Sequence, residues 1–143
     1  METYEIIPRV FFGPAHMTFQ SEFINQITHV VNCDNYTSSS SAEAQMKHFL
    51  FLESYDDDKF PLLQTHLETL IKYIDSALEN SNAKVYIHCY IGMNRSACLA
   101  VAYACYKTNK NPEELIKTLR LHYNNKVLSN EVFVKDLFDL FIF

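Results

Sequence analysis

One short segment, HCYIGMNRS at residues 88–96, carries the residue types needed to hold a phosphate group and attack it. It follows a short apolar stretch and precedes a helical apolar run that begins near Arg95. The amide groups of a loop between a strand and a helix gather at the helix N-terminus, where they attract anions. Gly92 permits the tight turn without a Cβ. Arg95 supplies a planar fork that can bind two phosphate oxygens at once.

The same segment indicates a nucleophilic role for Cys89. A helix N-terminus and a guanidinium stabilise a thiolate over a thiol, so we expect Cys89 to be ionised at neutral pH. A thiolate beneath a bound phosphate can attack phosphorus in line and form a phosphocysteine intermediate. Ser96 can hydrogen-bond the sulfur and help it leave in the second step. We expect His88 to orient the loop through backbone hydrogen bonds, without a role in proton transfer.

The phosphate interpretation has to outweigh a simpler one, because an isolated cysteine is commonly an inert core thiol. At average residue frequencies, the full pattern His-Cys-x-x-Gly-x-x-Arg-Ser arises by chance in a chain of this length on the order of 1 in 10⁴ times or less. It also falls between a predicted strand and a predicted helix, which is the context such a motif requires. The amides expected to bind phosphate are those of Tyr90, Ile91, Gly92, Met93, Asn94 and Arg95.

The elements that would position this loop alternate between strands and helices. Extended segments are predicted at Glu5–Gly13 with a break at Pro8, Thr28–Cys33, His48–Ser54 and Lys84–His88. Helices are predicted at Thr18–Gln26, Pro61–Asn80, about Arg95–Thr108, from Asn111-Pro112 onwards, and from about Asn130 to the C-terminus, with a polar serine-rich loop at Asp34–Gln45. The pattern predicts an α/β fold, a central, mostly parallel sheet of four to five strands flanked by helices, in one domain over residues 1–143.

Helical periodicity predicts which faces are buried. One face of the helix at 61–80 carries six apolar residues at helical spacing, namely Leu63, Leu67, Leu70, Ile71, Ile74 and Leu78. In the last helix, Phe133, Leu137 and Leu140 are predicted to face inward.

Composition restricts the functional classes. The 143 residues are 48% hydrophobic and 20% charged with a net charge of −5, so a general basic field for nucleic acid is lacking. The N-terminus lacks the pattern of a signal peptide, and the longest apolar run, Ala97–Tyr106, is too short to span a bilayer. We therefore expect an intracellular protein without membrane association, cytoplasmic or nuclear. The four cysteines form no CxxC pair and the six histidines are scattered, which predicts free thiols and no metal.

The segment HCYIGMNRS resembles the signature of the cysteine-based protein tyrosine phosphatases, specifically that of the small dual-specificity branch. The stretches IIPRVFFG, ITHVVNC, YIDSALENSNAKVYIHC and LSNEVFVKDL also resemble this branch, so the likeness covers nearly the whole chain. It implies a phosphatase fold with the phosphate loop between a central strand and a helix. It further implies hydrolysis of phosphotyrosine and of phosphoserine or phosphothreonine, without a cofactor.

The reaction implied by the resemblance needs a proton donor for the leaving oxygen, which later serves as a base towards water. Three consecutive candidates, Asp56, Asp57 and Asp58, follow a predicted strand. In that family the acid lies 31 or 32 residues before the cysteine, and Asp57 lies 32 residues before Cys89 and six before Leu63. We therefore choose Asp57. Asp56 and Asp58 stay open, although a solvated acidic loop near a helix start is their ordinary interpretation.

Two further residues gain a role from the resemblance. Some relatives carry a cysteine at the position of Cys33 that forms a reversible disulfide with the nucleophile, against the simpler interpretation of a core thiol. Asn130 is predicted to be a helix N-cap, and in the family this residue also braces the active-site loops.

Alternative substrates and roles are weighed on the same residues. The loop interior, Tyr90–Asn94, contains no lysine or arginine, which disfavours inositol lipids. An RNA 5′-phosphatase of the same superfamily is the alternative enzyme, but Ser96 and Ala97 depart from its usual Thr-Gly. A non-catalytic phosphosite-binding module is less favoured, because such proteins typically lose the cysteine or the arginine. The expected partners are phosphorylated proteins, with phosphate or another oxyanion in the active site, and a monomer is favoured.

Overall fold

The computed structural model describes residues 2–37 and 46–141 of the chain. The strands are β1 (Tyr4–Ile7), β2 (Val10–Pro14), β3 (His29–Asn32), β4 (His48–Phe51) and β5 (Val85–Cys89). The helices are α1 (Ser21–Ile24), α2 (Leu62–Leu78), α3 (Arg95–Thr108), α4 (Pro112–His122) and α5 (Glu131–Leu140), and a 3₁₀ helix covers Ala15–Phe19. Most of the predicted serine-rich loop, residues 38–45, lies outside the described residues.

The sheet confirms the predicted α/β architecture. Its strand order is β1-β2-β5-β3-β4. The β1–β2 pair is antiparallel, and the other three pairings are parallel. All five residues of β5 are buried, as expected for a central parallel strand covered on both faces. Because β2, β3, β4 and β5 run in the same direction, the loops that follow them meet at one edge of the sheet, which is where α/β proteins build their sites.

Helices α2 and α3 form much of the core beside the sheet. The predicted apolar face of α2 is confirmed, since Leu63, Leu67, Leu70 and Ile74 are buried and Ile71 and Leu78 pack against the same core. Every residue of α3 from Ser96 to Cys105 is buried. The start of α3 is therefore held rigidly at the edge of the sheet, directly after the loop that leaves β5.

Two details of the predicted elements are wrong. Leu140 does not face inward and is 52% exposed, because α5 ends at Leu140 and the chain turns so that Phe141 packs against the core instead. The predicted helix at Thr18–Gln26 is divided between the 3₁₀ helix and α1, with Gln20 in extended conformation between them. In the described part of the chain, no helix is both long enough and apolar enough to cross a membrane.

Candidate active site

The loop between β5 and α3, residues 89–96, is called the phosphate loop below. Cys89 is buried at the end of β5, and its Sγ accepts a hydrogen bond from the Gly92 amide at 3.3 Å. The Ser96 hydroxyl, also buried, lies 3.2 Å from the same sulfur. The sulfur therefore has a backbone donor on one side and a hydroxyl on the other, both suited to stabilise a thiolate.

The N-terminus of α3 keeps several amide groups without a protein acceptor. Asn94 occupies the N-cap position but makes no side-chain capping bond. Among the described residues, the amides of Ile91, Met93, Asn94 and Arg95 donate to no acceptor. Unpaired amides at a helix start carry partial positive charge and bind anions. The phosphate loop therefore has the properties of an anion-binding site.

The conformation of the phosphate loop depends on glycine. Gly92 has a φ of +80°, and a Cβ at this position would come within 2.4 Å of the carbonyl carbon of Gly13 at the end of β2. The sequence contains two glycines, so both meet at this point. From the other side, the Tyr123 hydroxyl donates to the Gly92 carbonyl at 2.8 Å. Sequence reasoning missed Tyr123, because a tyrosine at the end of α4 carries no local signal for this contact.

Arg95 is anchored through one of its three nitrogens. Its Nη1 donates to the Asp34 carboxylate and to the Ser54 carbonyl, both at 3.1 Å. The buried Nε has no partner, and Nη2 makes no hydrogen bond within residues 2–37 and 46–141. Nε and Nη2 form one edge of the guanidinium, the edge that binds two oxygens of a phosphate or carboxylate. The anchored side chain therefore leaves this edge available to an oxyanion.

Asp34, the partner of Arg95, was also missed by sequence reasoning, which assigned it to a polar surface loop. It is buried directly after β3 and Cys33, and its side chain further accepts from the Asn35 amide at 2.7 Å. A buried carboxylate needs a charged partner, which Arg95 provides. The available signal was its position: a polar residue at the carboxyl end of the strand beside β5.

The three consecutive aspartates lie in different environments on the loop at residues 55–60, called the aspartate loop below. Asp56 has both oxygens occupied: Oδ1 accepts from Asn130 Nδ2 at 2.9 Å, and Oδ2 accepts from Asn94 Nδ2 at 3.0 Å. Asp56 therefore links the aspartate loop to the phosphate loop and to the start of α5.

Asp57 has one oxygen engaged and one free. Its Oδ1 accepts from the amides of Lys59 and Phe60, at 2.9 and 2.8 Å, and these hydrogen bonds lower the pKa of Asp57. Its Oδ2 has no partner in the described part of the chain. Asp57 lines a cavity of about 500 Å³ together with Arg95, whereas Asp58 lines only the adjoining cavity. The structure therefore brings Asp57, but not Asp58, into the cavity that contains the guanidinium.

Asn130 connects the same parts from the helix side. Its Oδ1 accepts from the amides of Val132 and Phe133, so it is the N-cap of α5. Its Nδ2 donates to Asp56 Oδ1 and to the Asp57 carbonyl, each at 2.9 Å. One side chain thus starts a helix and holds the aspartate loop.

His88 and Cys33 lie on the neighbouring central strands. The His88 carbonyl accepts from the Cys33 amide at 2.8 Å and from the Cys33 thiol at 3.2 Å. Burial raises the pKa of Cys33 well above its usual range. Continuing the register of Asn32 with His88 puts Cys33 beside Cys89, and adjacent strands lie about 4.8 Å apart. That spacing allows a disulfide, although both cysteines are free thiols here.

The fold and the comparisons with known proteins assign the chain to the protein tyrosine phosphatase superfamily. The family model of the dual specificity phosphatase catalytic domain matches residues 11–141. The chain belongs to this family, and its enzyme class is dual-specificity protein phosphatase.

Individual relatives agree with the family assignment. The chain is 30% identical over 139 residues to human dual specificity protein phosphatase 13B, covering 93% of this chain and 69% of that protein. It is 27% identical over 141 residues to human dual specificity protein phosphatase 26, covering 95% of this chain and 65% of the relative. The chain thus spans about two thirds of these proteins. The crystal structure of human DUSP28 has the same fold, with a TM-score of 0.84 at 19% identity, covering 99% and 93% of the two chains.

The double role of Asn130 generates a first prediction. Asn130→Asp keeps the oxygen that caps α5 but loses the amide that donates to the aspartate loop, and it adds a negative charge beside Asp56. We expect amides at 55–60 to exchange with deuterium about tenfold faster, with the midpoint of thermal unfolding little changed. Hydrogen–deuterium exchange followed by mass spectrometry measures this.

Asn111→Asp is the matched control, because Asn111 caps α4 through the Glu114 amide and makes no contact with the aspartate loop. Exchange at 55–60 should be unchanged in this variant. Equal exchange in both variants would show that Asn130 acts as a helix cap alone.

The neighbouring positions of Cys33 and Cys89 generate a second prediction. Mild peroxide treatment should oxidise Cys89 to a sulfenic acid. The Cys33 thiol should then attack that sulfur and displace water, which forms a disulfide. Peptide mapping without reductant should detect the Cys33–Cys89 link in the wild type and not in Cys33→Ser. Recovery of Cys89 only as higher oxides, with no linked peptide, would contradict the pairing.

Proposed function

We propose that this chain hydrolyses phosphotyrosine and phosphoserine or phosphothreonine in proteins through a phosphocysteine intermediate. Cys89 is the nucleophile, Arg95 binds the phosphate, Asp57 is the general acid and base, and Ser96 assists the return of the thiolate. The observation that carries the proposal is the pairing of a buried sulfur with a set of unpaired amides and a free guanidinium edge.

In the first step, the phosphate oxygens bind the amides of the phosphate loop and the Nε–Nη2 edge of Arg95. The Cys89 thiolate attacks phosphorus opposite the ester oxygen, so a sulfur–phosphorus bond forms as the phosphorus–oxygen bond breaks. Asp57 transfers its proton to the departing oxygen. The donors around the phosphate stabilise the charge on its equatorial oxygens in the transition state.

In the second step, water attacks the phosphocysteine and the Asp57 carboxylate takes its proton. The sulfur–phosphorus bond breaks, inorganic phosphate is released, and Cys89 returns as a thiolate. Ser96 supports this step, because its hydroxyl 3.2 Å from the sulfur can donate a hydrogen bond to the leaving thiolate. The amide of Gly92 acts on the sulfur in the same way.

The choice of Asp57 over its neighbours rests on their contacts. A general acid needs a carboxyl oxygen free to carry a proton and near the leaving group. Asp57 lines the cavity that contains Arg95, and its Oδ2 is free in the described part of the chain. Both carboxylate oxygens of Asp56 instead accept hydrogen bonds from asparagine side chains. Asp58 does not line that cavity.

An RNA 5′-phosphatase remains the alternative enzyme. The cavity around Arg95 contains three aspartates and, among the described residues, no other basic side chain, which opposes the binding of a polyphosphate chain. This charge distribution favours a phosphoprotein substrate over a triphosphorylated RNA end.

The nucleophile is tested by Cys89→Ser. Turnover of a small aryl phosphate should fall at least about 10³-fold, because a hydroxyl is a far weaker nucleophile than a thiolate. Binding of tungstate, an oxyanion analogue of phosphate, should persist. Steady-state assay and calorimetry on the same preparation measure the two properties.

Cys33→Ser is the matched control under reducing conditions, since a serine hydroxyl can donate to the His88 carbonyl as the thiol does. Its turnover should remain within about twofold of wild type. If the wild type and Cys89→Ser bind a phosphopeptide equally and neither releases phosphate, the chain is a binding module. Faster hydrolysis of 5′-triphosphorylated RNA than of phosphopeptides would favour the alternative enzyme.

The acid is tested through the pH profile. Cys89 must be ionised while Asp57 is protonated, so kcat/KM should be bell-shaped. The Lys59 and Phe60 amides lower the pKa of Asp57, so the alkaline limb, which reports loss of its proton, should begin at acidic pH. Asp57→Asn should remove that limb and lower kcat about 10²-fold, with tungstate binding intact.

Asp58→Asn is the matched control and should keep the wild-type profile. An unchanged profile in Asp57→Asn together with a flattened one in Asp58→Asn would transfer the role to the neighbouring residue.

A further inference from the structure

The active-site edge of the sheet exposes a set of large apolar side chains. Each follows the carboxyl end of a parallel strand: Phe19 after β2, Tyr36 after β3, Tyr55 after β4, and Tyr90 and Ile91 after β5. Tyr36, Tyr55 and Tyr90 line the cavity that contains Arg95, and these three are called the tyrosine rim. Exposed apolar side chains grouped around a cavity mark a binding surface.

The rim is exposed, and one of its members is held in place. Tyr36 is 59% exposed and Tyr90 61% exposed. Tyr55 packs edge-on against Phe60, with ring centroids 5.6 Å apart, and its hydroxyl donates to Glu53. Aromatic side chains placed in this way can contact a substrate ring edge-on or offset-stacked. A phosphotyrosine offers such a ring above the phosphate, whereas phosphoserine and phosphothreonine do not.

The charges around the rim are mainly negative. Asp34, Asp56 and Asp57 line the cavity, and Arg95 is its only basic residue in the part of the chain that the structure describes. The adjoining cavity, of about 610 Å³, is lined by four carboxylates, those of Asp56, Asp57, Asp58 and Glu131, and by no described basic residue. Such a field repels a second phosphate group and attracts lysine or arginine.

We propose that the tyrosine rim and the surrounding carboxylates select singly phosphorylated phosphotyrosine segments whose neighbouring residues are apolar or basic. This inference rests on the proposed function, since it names the substrate class of the same site. The rim contacts the phosphotyrosine ring and the apolar neighbours. The carboxylates attract basic neighbours and exclude doubly phosphorylated segments, phosphorylated RNA ends and anionic membrane surfaces.

The rim is tested with two peptides of one basic and apolar sequence that carry either phosphotyrosine or phosphothreonine. Tyr36→Ala and Tyr90→Ala should each lower kcat/KM on the phosphotyrosine peptide about threefold to tenfold. On the phosphothreonine peptide, Tyr36→Ala should change kcat/KM by less than about twofold, because Tyr36 lies outside the phosphate loop and phosphothreonine offers no ring to contact. Tyr106→Ala is the matched control, because Tyr106 is 48% exposed on α3 and lines a separate groove with α2 and α5.

The charges are tested with the same phosphotyrosine peptide and a version carrying a second phosphate two residues away. Wild-type kcat/KM should be severalfold lower on the doubly phosphorylated peptide. The double variant Asp58→Asn with Glu131→Gln should reduce the difference in kcat/KM between the two peptides. Added salt should also reduce it, because salt screens exposed charges. Glu68→Gln with Asp139→Asn removes two charges from the separate groove and should leave the difference unchanged.

Hydrolysis of a small aryl phosphate distinguishes failure of the proposed function from failure of this inference. If the wild type does not hydrolyse it, the proposed function fails. If it does, two results overturn this inference alone: a phosphotyrosine to phosphothreonine ratio of kcat/KM that the rim variants leave unchanged, or a higher kcat/KM on the doubly phosphorylated peptide than on the singly phosphorylated one.

Discussion

The active site depends on the buried contact between Arg95 and Asp34. The phosphate-binding role proposed for Arg95 uses its charge, and a charge with so little exposure needs a partner of opposite sign. Asp34 provides it from the end of β3, and the Ser54 carbonyl adds a second acceptor from the segment after β4. Because both acceptors hold Nη1, the opposite edge of the guanidinium is presented to the ligand. The order of the strands, with β5 beside β3, is what makes this arrangement possible.

A second constraint connects the aspartate loop to the phosphate loop and to the start of α5. Asn94 does not cap the helix that it begins, and its side chain binds Asp56 and accepts from the Asn130 amide instead. The amides of the α3 start are thereby left unpaired, while the aspartate loop is tied to α5. The two glycines, Gly13 and Gly92, meet where the phosphate loop passes the end of β2. The backbones of these two segments approach closely there because neither glycine carries a Cβ.

Short motifs and helical periodicity predicted the features of this molecule that depend on residues close together in the sequence. The phosphate loop follows from one short motif, and the buried face of α2 follows from its periodicity. Asp34 and Tyr123 were missed because their contacts join residues 61 and 31 positions apart, and such contacts depend on strand order and helix docking. Spacing alone left three aspartates open, since the direction of each side chain depends on how the loop turns. Leu140 was assigned inward because periodicity does not show where a helix ends.

The hydrogen bonds to Asp57 have a consequence for the order of events in turnover. The Lys59 and Phe60 amides lower the pKa of Asp57 and favour its carboxylate, so the proposed proton donor is mostly deprotonated in the resting protein. A phosphate dianion arriving beside it would oppose that preference and favour reprotonation. Binding of the phosphate ester and uptake of a proton would then be thermodynamically linked. Asp57 would become protonated only when the ester is bound.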